Sequence, residues 1–436
     1  MCPSTVTHTR EWGIVRGAAT GAELAALASR RETLMNVTSI TYCEDLLRPT
    51  RAFAWGFLDF VEEAIFQGAA LRIGNPVGRP PCDSIASGFS LDRFYGLAGG
   101  LPDQDRWIAC YMTIPKAAEA YLADHLKAGT LLMSFELPPW LQAVCNDRGV
   151  PWIDLRPSPI RFARDLYIAI RTSHRGIAER LAAFDVPESE IRLEASLLAA
   201  SVRMHQRRLE EAGRFTFDLD DSLVYVAQAP YDASLIRMSS GVVGLGDYLD
   251  RVRAIAGTRR VLYKPHPFAE WHAESERALL RDALGRRVEL CRQNAYQILA
   301  ARCNVDLVGL SSGLLQEARY FSKRAHILFQ SLVPLNAHGQ ISNVHAFHQV
   351  RFAEFLSPAF WHRVLAPDRS VPDFSSLSPV QPNHARELLD QWWDYSKCMI
   401  WERSLWIEGF TRSGGGLLRD RVDALERVVQ SLREES

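Results

Sequence analysis

The sequence predicts an α/β protein with two Rossmann-type domains that face each other across a cleft. Three observations support this class. Strand and helix patterns alternate regularly after residue 221, a strand–helix–strand unit lies between residues 130 and 155, and a length of 436 residues exceeds what one hydrophobic core usually serves. Strands that alternate with helices are typical of parallel sheets covered on both faces.

The composition is that of a globular enzyme rather than a disordered or nucleic-acid-binding chain. Hydrophobic residues make up 47% and charged residues 23%, and a formal net charge of -1 gives no overall field that would attract nucleic acid. We therefore expect no nucleic-acid partner. The eight cysteines are dispersed without Cys-x-x-Cys spacing, so we expect reduced thiols and no zinc site.

The expected location is cytoplasmic. Met1 to Trp12 lacks the apolar core of a signal peptide, and no apolar run reaches the roughly 20 residues that span a bilayer. A membrane-bound substrate would be met from the inner face of the cytoplasmic membrane. The tryptophans at 392, 393, 401 and 406 either pack in a core or touch that lipid surface, and packing is favoured. No feature predicts the oligomeric state.

The first half of the chain reads as mixed α/β. Residues 12–16 predict a short strand, and residues 21–31 and 52–67 predict helices. Residues 74–105 are rich in glycine, proline and aspartate, which predicts a loop with interruptions.

Thr130 to Glu136 predicts a strand, followed by a helix to about Asn146 and a second strand at Pro151 to Leu155. A strand–helix–strand unit implies parallel pairing. Glu136 then lies at the carboxyl end of a strand, where it either enters the next helix as a dipole-compensating carboxylate or serves an active site.

Arginines recur between Arg156 and Arg171. Arg156 and Arg161 either belong to a solvated helix face or contact the carboxylate of an acidic sugar or the acceptor. A helical pattern over 187–211 leads to the polar stretch 215–221, which we take as the boundary. The predicted domains are 1–215 on the acceptor side, 216–385 for nucleotide-sugar binding, and 386–436 as C-terminal helices packing back.

The second half predicts a doubly wound sheet of five strands and four helices. The strands are expected at 223–227, 260–263, 288–290, 305–310 and 326–329, and the helices at 246–255, 270–284, 295–303 and 314–321. No Gly-x-Gly-x-x-Gly follows the first strand, so a dinucleotide cofactor is not expected.

Two strand ends carry residues suited to a phosphate. Lys264 and His266, in Lys-Pro-His-Pro, follow one strand, and Ser311 and Ser312 lie between another strand and a helix. A cation, an imidazole, hydroxyls and free amides at strand ends favour anion binding. The alternatives are a core histidine bonded to a carbonyl and serines that only cap the helix.

A third strand end, beginning at Ala227, carries Gln228 and Asp232. Gln228 is assigned to the donor, and Asp232 is a candidate base or nucleophile, or else an ordinary loop aspartate. Glu317, in the helix after the serines, is a candidate for the ribose hydroxyls, or else a surface charge.

Lys264-Pro265-His266-Pro267 followed by Ser311-Ser312 resembles the motifs of bacterial transferases that use CMP-activated acidic sugars. Residues 134–139 and 150–156, with Pro159 to Phe162, are similar to the retaining β-Kdo transferases of capsule, O-antigen and lipopolysaccharide synthesis. The resemblance spans roughly residues 130–330.

The resemblance implies a GT-B-like architecture, CMP-β-Kdo as donor, a glycan or lipid-linked glycan as acceptor, and neither metal nor cofactor. It assigns His266, Ser311 and Ser312, assisted by Lys264, to the CMP phosphate. It assigns Asp232 as the nucleophile of a double displacement and Glu136 as a second catalytic carboxylate.

Three other functions remain open. Sialyltransferases of other bacterial families carry an acidic-acidic-glycine motif, but Ser222 follows Asp220-Asp221 here. A CMP-sialic acid transferase and a CDP-polyol phosphotransferase differ from the first hypothesis in their donor. A non-catalytic glycan-binding protein would bind without turnover.

Overall fold

The computed structural model describes residues 37–49, 52–74, 88–126, 129–163, 165–211, 218–239, 241–267, 269–291, 293–333 and 346–371. The predicted elements at 12–16 and 21–31, the tryptophan-rich segment 392–406 and the C-terminal helices lie outside these residues. Both sheets described below belong to the unit of the chain that begins at Thr38.

Six strands in the described residues form the first sheet, in the order β13-β5-β4-β3-β1-β2. They are β1 (Ser39–Tyr42), β2 (Ile73–Gly74), β3 (Thr130–Phe135), β4 (Trp152–Pro157), β5 (Tyr167–Thr172) and β13 (His348–Arg351). Strands β1 to β4 pair in parallel, whereas β5 runs antiparallel to both β4 and β13. The parallel pairing of β3 with β4 confirms the predicted strand–helix–strand unit.

Helices accompany this sheet along the chain. They are α1 (Ala52–Ala69), α2 (Leu91–Leu97), α3 (Gln104–Cys110), α4 (Lys116–His125), α5 (Pro139–Arg148), α6 (Arg175–Ala182) and α7 (Glu188–Glu211). The loop prediction for 74–105 is wrong where α2 lies and where α3 begins. Ser90 and Asp103 cap the N-termini of these two helices. Their side chains accept hydrogen bonds from the backbone N–H groups of Arg93 and Arg106, at 3.2 and 2.8 Å.

Five strands in the described residues form the second sheet, in the order β10-β9-β6-β11-β12, all parallel. They are β6 (Ser222–Val226), β9 (Arg260–Lys264), β10 (Val288–Leu290), β11 (Val305–Gly309) and β12 (Ala325–Ile327). A small antiparallel hairpin, β7 (Ile236–Arg237) with β8 (Gly241–Val242), follows β6. The prediction of a parallel, doubly wound sheet is confirmed.

The remaining helices are α8 (Leu249–Ala256), α9 (Ala273–Leu284), α10 (Ala295–Ala300), α11 (Gly313–Glu317), α12 (Phe352–Phe355) and α13 (Pro358–Leu365). The helix predicted at 314–321 is split, because a 3-10 turn over Ala318–Phe321 follows α11. The other three predicted helices of this half are confirmed within a few residues.

The central strands are buried on both faces, as parallel strands covered by helices must be. Every residue of β3, β6 and β11 is buried. The last residue of β11 is Gly309, and a Cβ at this position would lie 2.7 Å from the carbonyl oxygen of Val226. Only glycine lets these two strand ends approach so closely.

The chain passes between the two sheets more than once. Helix α7 packs its apolar face, including Ile191 and Val202, into the cluster that holds Val224, Leu307 and Tyr320 of the second-sheet region. Strand β13, which follows the second sheet in sequence, joins the edge of the first. The predicted domain bounds stay a prediction.

Candidate active site

The carboxyl edge of the second sheet has a topological switch point. From β6 the chain moves outward to β9 and β10, then returns to the other side of β6 as β11 and β12. In open α/β sheets the connections diverge at such a point and leave a crevice that binds ligands. Gln228 and Ser311 lie at this crevice, following β6 and β11.

A neutral hydrogen-bond network closes the base of the crevice. Gln228, only 7% exposed, donates from Nε2 to Ser234 Oγ at 2.6 Å and accepts from the backbone N–H of Ser311 at 3.1 Å. Ser311 Oγ also lies 3.0 Å from Ser234 Oγ. These contacts fix the ends of β6 and β11 relative to each other. Ser234 therefore belongs to the site although the sequence did not single it out.

Asp232 is held at the rim of this network. Its Oδ1 accepts hydrogen bonds from the backbone N–H and the Oγ of Ser234, both at 2.8 Å, and caps the 3-10 turn over Ala233–Leu235. The side chain is partly exposed. Among the described residues, Oδ2 receives no hydrogen bond. The carboxylate is thus oriented through one oxygen, while the other accepts no hydrogen bond from the part of the chain that the structure describes.

Lys264 is the last residue of β9, the strand beside β6, and His266 follows it; both are partly buried. Burial lowers the pKa of His266, and Lys264 lowers it further, whereas the Asp232 carboxylate opposes this shift. His266 is therefore neutral near pH 7 and can donate one N–H to a phosphate oxygen. The interaction with Asp232 places the predicted donor-binding and nucleophilic residues in one site.

Ser312 precedes α11 and makes no side-chain capping bond. The helix is five residues long, so the helix dipole is smaller than a longer helix would supply. A Cβ at Gly313 would lie 3.5 Å from the carbonyl oxygen of Pro159, which follows β4 of the first sheet. The turn after β11 therefore lies against the first-sheet region.

The first sheet has a switch point of its own, between β1 and β3. The chain moves from β1 to β2 on one side and then returns to β3 on the other. Asp45 and Arg48 follow β1, and Glu136 follows β3. Arg48 and Glu136 form an ion pair across this crevice, with side chains 31% and 28% exposed.

Glu136 has a left-handed backbone conformation, with φ of 55°. A residue other than glycine rarely adopts it, and such strain persists only where the surroundings fix it. Burial raises the pKa of Glu136, but Arg48, Arg156 and Arg161 outweigh that effect and lower it. Glu136 is ionised at neutral pH and can accept a proton.

Asp45 is a buried carboxylate whose charge also favours the charged form of Arg48 and raises its pKa. Its carboxylate accepts hydrogen bonds from the indole N–H of Trp107 at 2.7 Å and of Trp140 at 3.1 Å. The guanidinium of Arg48 lies over the ring of Trp107, 5.6 Å from its centroid. Burial raises the pKa of Asp45 despite these bonds.

Arg156 lies in β4, not on a solvated helix face, so that alternative is wrong. Its Nε donates to Asp154 at 3.0 Å, and Nη2 donates to the carbonyl oxygen of Leu137 at 2.8 Å. Arg171, in β5, donates to the same Asp154 oxygen at 2.7 Å. Asp154 is fully buried, and both arginines are less than 10% exposed. The predicted contact of Arg156 with a sugar stays a prediction.

Glu317 is not a surface charge, because it is 2% exposed. Its Oε1 accepts from the backbone N–H of Arg161 at 2.6 Å and lies 3.3 Å from the hydroxyl of Tyr296. Burial raises its pKa to about 7, against the opposing effect of Arg161. The structure uses Glu317 to tie α11 to the turn after β4. Its predicted ribose contact stays a prediction, as does a ligand contact of Arg161.

The segments that follow β6 and β1 share one hydrophobic cluster. Ile236, four residues after Asp232, belongs to the hydrophobic cluster of Leu46, Leu47 and Trp107 beside Arg48. The charge of Arg48 is favoured first by Glu136 and also by Asp232, both of which raise its pKa. The predicted catalytic carboxylates, Asp232 and Glu136, therefore both interact with Arg48.

Within the described residues, no group of three or more His, Cys, Asp or Glu side chains is arranged to hold a metal ion. No helix in that part of the chain is both long and apolar enough to cross a membrane.

No protein-family model matches the chain, and no curated protein matches it by sequence. Among solved structures, it is similar to two described as Thermosulfurimonas dismutans KpsC. The beta Kdo 2,7 transferase is 16% identical with a TM-score of 0.29, and the match covers 60% of this chain and 85% of that one. The beta Kdo 2,4 transferase is 12% identical with a TM-score of 0.32, covering 76% and 90%.

The D-mandelate dehydrogenase of Rhodotorula graminis also matches, with 10% identity and a TM-score of 0.18 over 75% of this chain and 91% of that one. Similarity at these levels assigns no function. The residues of the site must do so.

Proposed function

We propose that the chain is a glycosyltransferase that moves Kdo from CMP-β-Kdo to a glycan or lipid-linked glycan, with retention of the anomeric configuration, in the synthesis of bacterial surface polysaccharide. The observation that carries this proposal is the position of Asp232. Ser234 orients this carboxylate, which interacts electrostatically both with His266, suited to a phosphate, and with Arg48, suited to an acidic sugar.

In the first step, an oxygen of Asp232 bonds to the anomeric carbon while the bond from that carbon to the phosphate oxygen breaks. CMP leaves with the bonding electrons. Lys264 stabilises the charge that develops on the phosphate, and neutral His266 donates a hydrogen bond to it. The Gln228–Ser234–Ser311 network holds Asp232 and the turn after β11 in place.

In the second step, an acceptor hydroxyl attacks the same carbon from the opposite side, and the ester bond to Asp232 breaks. The hydroxyl proton passes to Glu136, which is ionised at neutral pH and acts as the base. Two inversions give net retention. We also propose that the enzyme meets its acceptor at the cytoplasmic face of the membrane.

The test is to incubate the protein with CMP-Kdo, generated in situ, and separately with CMP-sialic acid, while CMP release and the intact protein mass are followed. We expect one Kdo residue to be added to the wild type with CMP-Kdo. Asp232→Asn keeps the Oδ1 acceptor for Ser234 but should lose the adduct and slow CMP release by at least about 10³-fold.

Asp218→Asn is the matched control, since Asp218 is a surface aspartate whose side chain is 77% exposed. It should react like the wild type. An adduct that survives Asp232→Asn would move the nucleophile to another carboxylate, Glu136 first. If neither donor releases CMP or raises the melting temperature, the phosphate site and the family assignment are both wrong.

A further inference from the structure

Arg48 is a charged residue in the crevice that the steps above leave without a direct contact to the donor. It follows β1, and its side chain is 31% exposed. The other nearby arginines are committed to the protein itself. Arg156 and Arg171 are buried against Asp154, and Arg161 donates Nε to the carbonyl oxygen of Ser158 at 2.6 Å.

The surroundings of Arg48 are those of a carboxylate-binding guanidinium. It already pairs with one carboxylate, that of Glu136, and lies over the indole of Trp107. A guanidinium has five N–H donors in a planar fork, so one carboxylate does not use its capacity. Glu136 is 28% exposed, so water can hydrate it if a second carboxylate takes its place.

Arg48 also lies beside the proposed nucleophile. Ala233, the first residue of the 3-10 turn capped by Asp232, packs against the cluster that contains Leu46 and Leu47, and Ile236, which follows the turn, belongs to it. The segments that carry Asp232 and Arg48 therefore contribute to one cluster, and the two side chains interact electrostatically. A sugar whose anomeric carbon meets Asp232 places any substituent of that carbon near this guanidinium.

We propose that Arg48 is the specificity-determining residue of the site, which recognises the carboxylate of the donor's acidic sugar by exchanging it for Glu136. This inference rests on the proposed function. The exchange couples recognition to chemistry, because Glu136 gives up its ion-pair partner and becomes a stronger base when an acidic sugar is bound. A neutral sugar would leave the Arg48–Glu136 pair closed.

The experiment compares a ligand that has the phosphate alone with one that also has the carboxylate. CMP affinity is measured by calorimetry, and the half-saturating concentration of CMP-Kdo is measured from CMP release. For Arg48→Ala we expect a rise in the half-saturating concentration of about 10- to 100-fold, with the Kd for CMP within about twofold of the wild type. Arg48→Lys keeps the charge but not the planar fork, so its half-saturating concentration of CMP-Kdo should lie between those of the wild type and Arg48→Ala.

Glu136→Gln separates recognition from support of the base. It releases Arg48, so transfer to the acceptor should slow while the half-saturating concentration of CMP-Kdo does not rise. Arg175→Ala is the matched control, because Arg175 forms an exposed pair with Glu179 on α6. It should change neither measurement.

Three results would overturn the inference. An unchanged half-saturating concentration in both Arg48 variants means that Arg48 does not contact the sugar. An equal loss of CMP and CMP-Kdo binding means that it acts on the phosphate or on the fold. If the wild type neither binds CMP nor releases it from CMP-Kdo, the proposed function fails as well, and the two failures are thereby distinguished.

Discussion

The carboxyl edges of the two sheets are held together by different kinds of polar contact. At the first sheet, buried or half-buried charges neutralise one another, with Arg48 on Glu136 and two arginines on Asp154. At the second sheet, a neutral amide and two hydroxyls, from Gln228, Ser234 and Ser311, connect the strand ends.

The first edge is therefore the more rigid one, and the second edge keeps polar groups available to bind a ligand. A buried ion pair is costly to desolvate and very costly to break, so it fixes a crevice but commits its charges. A neutral network costs less to bury and leaves the charges of Lys264 and Asp232, with the neutral His266, at the rim. We expect the first edge to be sensitive to loss of charge and the second to tolerate substitution with a smaller loss.

Asp154→Ala should have the largest effect on stability. Asp154 is fully buried and holds Arg156 and Arg171, and it also accepts the backbone N–H of Leu137 at 2.9 Å. Its removal leaves two buried guanidinium groups without their partner. We expect the free energy of unfolding to fall by about 3–5 kcal/mol, measured by urea denaturation.

Asp218→Ala provides the comparison, since the Asp218–Arg260 pair lies at the surface and should contribute less than about 1 kcal/mol. A small loss for Asp154→Ala, similar to that for Asp218→Ala, would show that the first edge does not depend on its charges.

The second edge is largely predictable from sequence, because its residues follow their strands directly. The apolar runs that form β9 and β11 end in Lys264-Pro-His and in Ser311-Ser312, and the parallel order brings these ends together. The first edge is less predictable. β1 has only four residues, and Arg48 pairs with Glu136 across 88 positions of sequence.

The arginines of 156–171 illustrate why local pattern fails there. Their spacing is compatible with a helix face, but β4 and β5 pair in antiparallel register, which places Asp154 opposite Arg171. Arg171 meets Asp154 through cross-strand pairing, and Arg156 meets the same aspartate because residues two apart share one face of a strand. The sequence pattern did not predict that Asp45 and Arg48 belong to the site. The available signal was a short strand followed by Asp45-x-x-Arg48.

Glu317 is a buried acid next to the neutral second edge, so the pH dependence of stability tests whether that edge carries a charge. Its pKa is raised to about 7 by burial, so the folded protein holds a proton there that the unfolded chain releases near pH 4.5. The folded state therefore binds more protons between these values, and stability falls as the pH rises through them. The total contribution is about 3 kcal/mol.

Glu317→Gln stays uncharged at every pH, so its unfolding free energy should lack this component. Relative to the wild type, the variant should gain stability from about pH 5 to about pH 7 in urea titrations, and the difference should level off above that pH. Asp45 and Glu276, whose pKa values burial also raises, affect both proteins alike and cancel in the difference. Parallel curves would mean that Glu317 is charged in the fold and that the second edge is not neutral.

Gln228→Ala should have the smallest effect on stability and completes the contrast. It removes the acceptor for the Ser311 N–H and the donor to Ser234, at a site 7% exposed. We expect a loss of about 1–3 kcal/mol by urea denaturation, since water can enter a partly open rim and satisfy Ser311. Weaker CMP binding should accompany it, because the turn after β11 loses its anchor to β6. A loss as large as that of Asp154→Ala would instead place the rigid element of the crevice at the second sheet, and the division between a charged, fixed edge and a neutral, adaptable one would be wrong.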